Sequence, residues 1–254
     1  MLKFLKILYS LKFSFSKRFV PSLIKRFFFN KSQIINLNFS KIKINLSQAI
    51  DREIYLNEFY EKEQLMFLQK ICHGRKINHF FDIGANIGYY SLFFQKIKNI
   101  YAFEPNKKNF LMLKENIELN NLNINIYNFG LSNLNTETEI WYTNKNKMGG
   151  SAIFDKNDPE LKKYKDVNII KEKILVKKLD DLHDINNKEI LIKIDVERHE
   201  KKVLQGMSKL IHQNNIIMQI EVGNEQKNEV FEYLSKFKLK WIKTIRHDHF
   251  FIKN

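Results

Sequence analysis

An α/β fold built on a largely parallel sheet is predicted for this chain by three features of its sequence. Apolar runs and helical stretches of about ten residues alternate from residue 77 to residue 222, the rhythm of strands joined by right-handed crossovers. The first run ends in a carboxylate and a turn carrying two glycines, Asp82-Ile83-Gly84-Ala85-Asn86-Ile87-Gly88, which is how a nucleotide-type ligand is received between a strand and a helix. A second carboxylate, Glu104, closes the next run in Phe103-Glu104-Pro105-Asn106.

The elements follow in order. Residues 1–50 read as a basic amphipathic extension, with ten Lys and Arg and no Asp or Glu, ahead of a domain over 51–254. Phe4, Leu5, Ile7, Leu8, Leu11, Phe13, Phe15 and Phe19 stand between the charges. No stretch of some 18 uncharged apolar residues occurs, so the extension cannot span a bilayer. A clean apolar core followed by a small-residue cleavage site is also missing, which argues against a signal peptide. Two readings of residues 1–31, broken at Pro21, stay open. One is a segment lying on an anionic membrane, each nearby Lys or Arg contributing roughly 1 kcal/mol; the other is a helix packed on its own domain with a solvated basic face. A nucleic-acid partner is disfavoured, because Lys far outnumbers Arg and no stacking motif accompanies the charge. These observations place the chain in the cytoplasm, peripheral to the inner face of the membrane under the first reading.

Residues 33–56 alternate apolar and polar side chains and read as short strands, and 58–71 has helical spacing. Strands then follow at 77–83, 100–103 and 124–129, separated by helices at 88–98 and 106–119. Residues 131–178 interrupt the rhythm with a polar stretch that suits antiparallel ribbons and a loop, the kind of insertion that carries a substrate pocket. The alternation resumes with strands at 190–196 and 216–222, helices at 201–211 and 225–237, and a closing hairpin over 241–252. Its Arg246-His247-Asp248-His249 reads as an exposed turn rather than a metal site, and Tyr89 and Tyr90 read as core residues.

Composition narrows the chemistry. The 44% hydrophobic content fills one large core, and the single cysteine, Cys72, excludes an intramolecular disulfide and a thiolate zinc site and fits a reducing compartment. Abundant Lys, Asn, Ile and Phe with few Gly and Pro point to an AT-rich, bacterial genome. Gly is scarce, 8 in 254 residues against a typical ~7%, so a turn that keeps two needs a positive φ or a close backbone approach.

A dinucleotide fold would place glycine at the middle of G-x-G-x-x-G, where this chain has Asn86. A P-loop is excluded by the lack of Gly-Lys-Ser/Thr at the required spacing. What remains is a nucleoside ligand without a pyrophosphate, and S-adenosylmethionine fits. Its carboxylate suits loop N–H groups near a helix start, and its ribose diol suits Glu104, 22 positions after Asp82 where ~20 is expected for a ribose-binding acid. Asp82 either meets the ligand or organises the loop by accepting backbone N–H groups. Gly130, in Phe129-Gly130-Leu131-Ser132, marks the next strand end, where adenine would lie with Asn128 or Ser132 as polar contacts; a plain turn is the alternative.

A second constellation is Lys193-Ile194-Asp195-Val196-Glu197-Arg198-His199-Glu200. Its period of two places Asp195 and Glu197 on one side of a strand, at the end where open α/β sheets bind ligands; helix capping is the other reading for Glu197 and Glu200. Together with Phe81-Asp82-Ile83-Gly84-Ala85-Asn86-Ile87-Gly88-Tyr89-Tyr90-Ser91, Phe103-Glu104-Pro105-Asn106, Gly130-Leu131-Ser132 and Gly149-Gly150-Ser151, this segment resembles the FkbM family of S-adenosylmethionine-dependent methyltransferases over roughly residues 60–222. The resemblance implies a Rossmann-like, seven-stranded class I methyltransferase fold, mostly parallel with an antiparallel C-terminal hairpin, and O-methylation of a hydroxyl on a sugar or glycan. It assigns Asp82, Gly84, Ala85, Asn86, Gly88 and Glu104 to the cofactor site and Asp195 and Glu197 to the reaction centre, with His199 behind them.

One departure stands out: the family pattern has Gly where this chain has Arg198. Either the turn differs, or Arg198 reads an anionic or polyhydroxyl acceptor. Asp195, as general base, is the first catalytic candidate. No metal is assigned, although Asp195, Glu197, His199 and Glu221 form an alternative oxygen-rich set. The competing functions are a noncatalytic cofactor-binding or membrane-associated scaffold in glycan assembly, which turnover would separate, and a nicotinamide oxidoreductase, which Asn86 disfavours.

Overall fold

A computed structural model describes residues 1–11, 14–28, 32–143 and 169–254; Gly149-Gly150-Ser151 lies outside them. The chain opens with helices α1 (Leu2–Ser10) and α2 (Ser14–Phe27), the hairpin β1 (Ser32–Asn36) and β2 (Lys41–Asn45), and helices α3 (Ala49–Asn57) and α4 (Lys62–Cys72). The alternating part follows as β3 (His79–Ile83), α5 (Tyr89–Phe93), β4 (Asn99–Phe103), α6 (Lys107–Leu119) and β5 (Asn125–Tyr127). Strands β6 (Gly130–Leu131), β7 (Thr136–Thr143) and β8 (Ile169–Lys177) form a small separate sheet, β7 antiparallel to β8, as the polar stretch predicted. The remainder is β9 (Glu189–Ile194), α7 (Glu200–Gln205), α8 (Ser208–Gln213), β10 (Asn215–Glu221), α9 (Lys227–Ser235), β11 (Lys240–Ile245) and β12 (Asp248–Lys253).

Seven strands make the main sheet in the order β11-β12-β10-β9-β3-β4-β5. The run from β10 to β5 is parallel, while β12 runs antiparallel to both β10 and β11. This is the expected Rossmann-like, seven-stranded sheet with its antiparallel C-terminal hairpin. From β3 the chain builds β4 and β5 on one side and later β9 and β10 on the other, so the topological switch point lies between β3 and β9, where such sheets bind ligands.

Side-chain alternation divides the core into two layers. Phe80, Leu191, Ile217 and Phe250 face α4, α5 and α6 through Leu65, Leu68, Leu92, Leu113 and Ile117. Phe81, Ile192, Met218 and Phe251 face α7, α8 and α9 through Val203, Leu204, Leu210, Ile211, Val230 and Leu234. The first fifty residues share the first layer: Leu5, Val20, Ile24, Ile42 and Ile44 are buried in it. One polar row crosses this layer, because Asp82, Lys193 and Gln219 stand abreast on β3, β9 and β10 and each follows an apolar residue of the same face by two positions.

Several expectations give way to the structure. Residues 49–57 form α3 rather than a strand, burying Asp51, Ile54, Tyr55 and Leu56. Pro21 does not break α2; the ~3 kcal/mol cost of an interior proline is offset by the complete burial of Val20 and Ile24 on either side. The helix expected from residue 58 starts at Lys62, since Glu58 and Glu61 take left-handed conformations, with φ of 60° and 50°. The helix expected over 201–211 is two, α7 and α8, separated where Gly206 passes so close to Ser132 that a Cβ would lie 1.9 Å from its carbonyl oxygen. Finally, β9 ends at Ile194, so Asp195 and Glu197 occupy a turn and not one side of a strand. The closing hairpin turns at Arg246 and His247 while Asp248 and His249 are buried in β12, not exposed.

Candidate active site

A cavity of about 410 Å³ opens at the C-terminal ends of β3, β4 and β9, within the size range of small-ligand sites. Gly84, Asn86 and Glu104 line it on one side and Asp195, Glu197 and His199 on the other, with Glu61, Glu221, Asp248, Glu53, Arg246 and His247 around the remaining wall. The structure therefore brings both sequence constellations into one space.

The first turn is tightly built. Gly84 has φ of 79°, and a Cβ there would lie 1.8 Å from the Asp195 carbonyl oxygen, so no side chain fits where the two turns cross. Asn86 (φ 52°) and Gly88 (φ 88°) are also left-handed, a conformation Asn tolerates better than most residues. Glu104 is almost fully buried, and its two carboxylate oxygens accept the Asn86 and Asn106 N–H groups, each at 2.8 Å. Gly84 and Ala85 N–H donate to the Phe103 carbonyl at 3.0 Å, and Gly88 N–H to Ala85 at 2.8 Å. The amides of Gly84, Ala85, Asn86 and Gly88 thus all serve protein acceptors, and the turn contributes close approach rather than an anion cradle of those four donors.

The other sequence-predicted residues stand behind this wall. Asp82 is wholly buried, and its Oδ2 accepts from Ser91 N–H (3.0 Å) and Ser91 Oγ (2.6 Å), the loop-organising arrangement. Burial raises its carboxyl pKa, against the opposing effect of Lys193. Ala85 and Gly88 do not line the cavity, and neither do Asn128, which donates to the Glu104 and Pro105 carbonyls, or Ser132, whose Oγ lies 3.0 Å from His199 Nε2.

Lys193 links the two turns. Its Nζ donates to the Gly84 carbonyl and to Asp195 Oδ2, both at 3.1 Å. Burial opposes the ammonium charge, but Asp195, Asp82 and Glu61 overcome that and push its pKa up. A network continues beneath the cavity: Tyr90 OH donates to Glu61 Oε2 at 2.7 Å, Gln219 Nε2 donates to Tyr90 OH and to Asp248 Oδ1, and Gln64 Nε2 donates to Asp248 Oδ2. Tyr89 and Tyr90 are core residues as expected, and Tyr90 in addition orients a cavity carboxylate.

Burial raises the pKa of Glu104 to about 7. It raises Glu197 to about 7 as well, assisted by Asp195 and opposed by Lys193. Glu61 and Glu221 are raised by burial and by their acidic neighbours. Burial lowers the His199 imidazole to about 4, leaving it neutral at physiological pH.

The second turn accommodates Arg198 at a cost. Glu197 and Arg198 take φ of 48° and 75°, so Arg198 adopts the left-handed backbone a glycine would adopt freely, at roughly 1–2 kcal/mol. Its guanidinium pairs with Glu225 at 3.3 Å and is not among the cavity-lining groups; Arg246 is the arginine there. Glu200 Oε1 accepts the Arg198 N–H at 2.9 Å, bracing the turn ahead of α7. Among the described residues no three His, Cys, Asp or Glu side chains converge as a metal-ligand set.

Sequence reasoning missed Glu53, Glu61, Arg246 and Asp248 as wall residues and Lys193 as the bridge. Lys193 carried a signal, since a charge within an apolar central strand is expensive unless paired. Glu61 carried none.

A pH dependence follows from the raised carboxyls. Between an unfolded pKa near 4.5 and a folded one near 7, Glu104 and Glu197 hold more protons in the folded state, and Glu221, raised to about 9, does so at higher pH, so stability falls as pH rises through this range. Histidines lowered by burial oppose this only below roughly pH 6.5. The ligand-free protein is therefore expected to show a thermal midpoint that declines from about pH 6.5 to about pH 8, measured by scanning fluorimetry; a rise over that window would contradict the carboxylate assignment.

The hexuronic acid methyltransferase AglP of Haloferax volcanii is 26% identical over 159 residues, which is 62% of this chain and 62% of that protein. The match thus spans about three-fifths of the relative's length. Two solved structures are similar at low identity. The methyltransferase FkbM of Methylobacillus flagellatus KT is 16% identical, with 70% of this chain and 44% of that chain covered and a TM-score of 0.45. The TYW2 protein of M. jannaschii, in complex with AdoMet, is 14% identical, with 88% and 84% covered and a TM-score of 0.45. The family description "Methyltransferase FkbM domain" matches residues 82–243, from Asp82 in β3 to Lys243 in β11, well over half of the sequence, and the chain belongs to that family.

Proposed function

We propose that this cavity binds S-adenosylmethionine and methylates a hydroxyl group of a sugar or glycan. The carrying observation is the charge of the cavity: its ionisable lining is mainly carboxylate, Glu53, Glu61, Glu104, Asp195, Glu197, Glu221 and Asp248, in a chain of net charge +15. Such a wall repels a pyrophosphate and attracts a cation, and a bound cation draws the raised carboxyls Glu61, Glu104, Glu197 and Glu221 back toward ionisation. The donor set suits this cofactor: Glu104, fixed by two backbone N–H groups, keeps acceptor capacity for ribose hydroxyls, and Gly84 allows close approach. When bound, the cofactor supplies a methyl group already activated on a sulfonium.

The remaining work is alignment of the acceptor and removal of its proton. Glu197 is the base this geometry favours, because its pKa near 7 matches the working pH and its strained backbone is of a kind that collects at functional sites. Asp195, held by Lys193 at 3.1 Å, orients and balances charge beside it. His199, neutral and bonded to Ser132, supports the same wall. The sugar acceptor draws support from the hexuronic acid methyltransferase relative.

Incubation with methyl-labelled S-adenosylmethionine and fractionated oligosaccharides tests the proposal. Label should enter a saccharide fraction, and Glu197→Gln should lower turnover by roughly 10²–10⁴-fold with cofactor affinity little changed. Cofactor binding without transfer to any fraction would instead favour a noncatalytic scaffold.

A further inference from the structure

The N-terminal helices have two faces. Inward, Leu5 of α1 and Val20 and Ile24 of α2 are buried in the same apolar layer as Phe80 and Leu191. Lys6 fastens α1 to α3, pairing with Glu58 at 2.8 Å and lying 5.2 Å from the Tyr55 ring centre. The helices are thus fixed to the domain. Outward, Phe4, Ile7 and Leu11 recur at positions that share one side of a helix, and they are 65%, 61% and 55% exposed. Met1 extends this side and Phe27 is exposed at the end of α2. Lys3, Lys17 and Arg26 are exposed on the same two helices.

Large apolar side chains in such numbers on one exposed face mark an interaction site. Its charge selects the partner, because the first fifty residues carry ten cations and no carboxylate. A second copy docked through this face would set cation against cation. A nucleic acid would satisfy the lysines and leave Phe4, Ile7 and Leu11 without a partner. An anionic bilayer satisfies both, with apolar side chains entering the headgroup boundary and lysines meeting lipid phosphates.

We infer that α1 and α2 form a preassembled surface that docks the protein on an anionic membrane. The two readings left open by the sequence are then one device: the helices pack on the domain with one side and on lipid with the other. No helix among the described residues is long and apolar enough to cross a membrane, so the contact is peripheral. Because α3 and the Glu58 that caps its C-terminus hold Lys6, and α3 also carries the cavity-lining Ala49, Ile50 and Glu53, docking sets the cavity one helix from the lipid.

The test is sedimentation of the full chain with vesicles of phosphatidylcholine alone or mixed with phosphatidylglycerol. Binding should be at least about tenfold stronger to the mixed vesicles and weaken with salt. Both Phe4→Ser/Ile7→Ser/Leu11→Ser and Lys3→Glu/Lys17→Glu should lose it by about tenfold or more, with thermal midpoints unchanged because these side chains are exposed. Equal binding to both vesicle types, or wild-type binding by the triple variant, would overturn the inference. So would a light-scattering mass showing a dimer that the triple variant dissociates while mixed vesicles stay unbound.

Discussion

Lys193→Met should destabilise the protein by about 3–5 kcal/mol, the cost of removing one partner from a buried ion pair. For a chain of this size that is roughly 6–20 °C in thermal midpoint. Methionine fills most of the volume, so the loss is electrostatic: Asp82 is completely buried and Asp195 partly so, and both lose the ammonium that balances them. The Gly84 carbonyl loses its donor as well. Adding Asp82→Asn to Lys193→Met should recover part of the stability, since it removes one of the uncompensated carboxyls, and the non-additivity read from a double-mutant cycle measures the coupling. Strict additivity would show that Lys193 and Asp82 do not act as a pair.

Glu104→Ala should weaken S-adenosylmethionine binding by at least about 100-fold, since a hydrogen bond to a charged group contributes ~1.5–3 kcal/mol and the ribose diol offers two. It should also lower stability, because the Asn86 and Asn106 N–H groups that Glu104 accepts at 2.8 Å lose their acceptor, at about 1–3 kcal/mol for each group left unsatisfied. The two effects separate in calorimetry: the variant retains a cooperative transition at lower temperature while the cofactor no longer shifts it. A variant still stabilised by cofactor as strongly as the wild type would remove Glu104 from the ribose site.

How much of this was legible in the sequence depends on how local each cause is. Strands such as 79–83 and 189–194 declare themselves by continuous apolar runs, and the Asp82 to Gly88 turn by scarce glycine and a carboxylate, all signals contained within a dozen residues. The polar row Asp82–Lys193–Gln219 was not legible, since it exists only once β3, β9 and β10 take their register. Helix α3 was misread because it follows the alternating residues 34–46 with no Gly or Pro to mark the change of element. Glu61 enters the cavity through a left-handed turn held by Tyr90 from another helix, and nothing adjacent to it in the chain announces that. Arg198 ran the other way: the sequence left open a different turn or an arginine that reads the acceptor, and the structure keeps a glycine-like backbone at φ of 75°, secured by the Glu200 carboxylate accepting the Arg198 N–H and Gln226 donating to its carbonyl.

Isothermal titration of S-adenosylmethionine into the wild-type chain and into Glu104→Ala tests the central claim most directly. Saturable binding by the wild type, strengthening from about pH 6.5 to about pH 8 as the cavity carboxylates ionise and lost in Glu104→Ala, is the predicted result. Absence of binding by the folded wild type, or equal binding by both proteins, would contradict it.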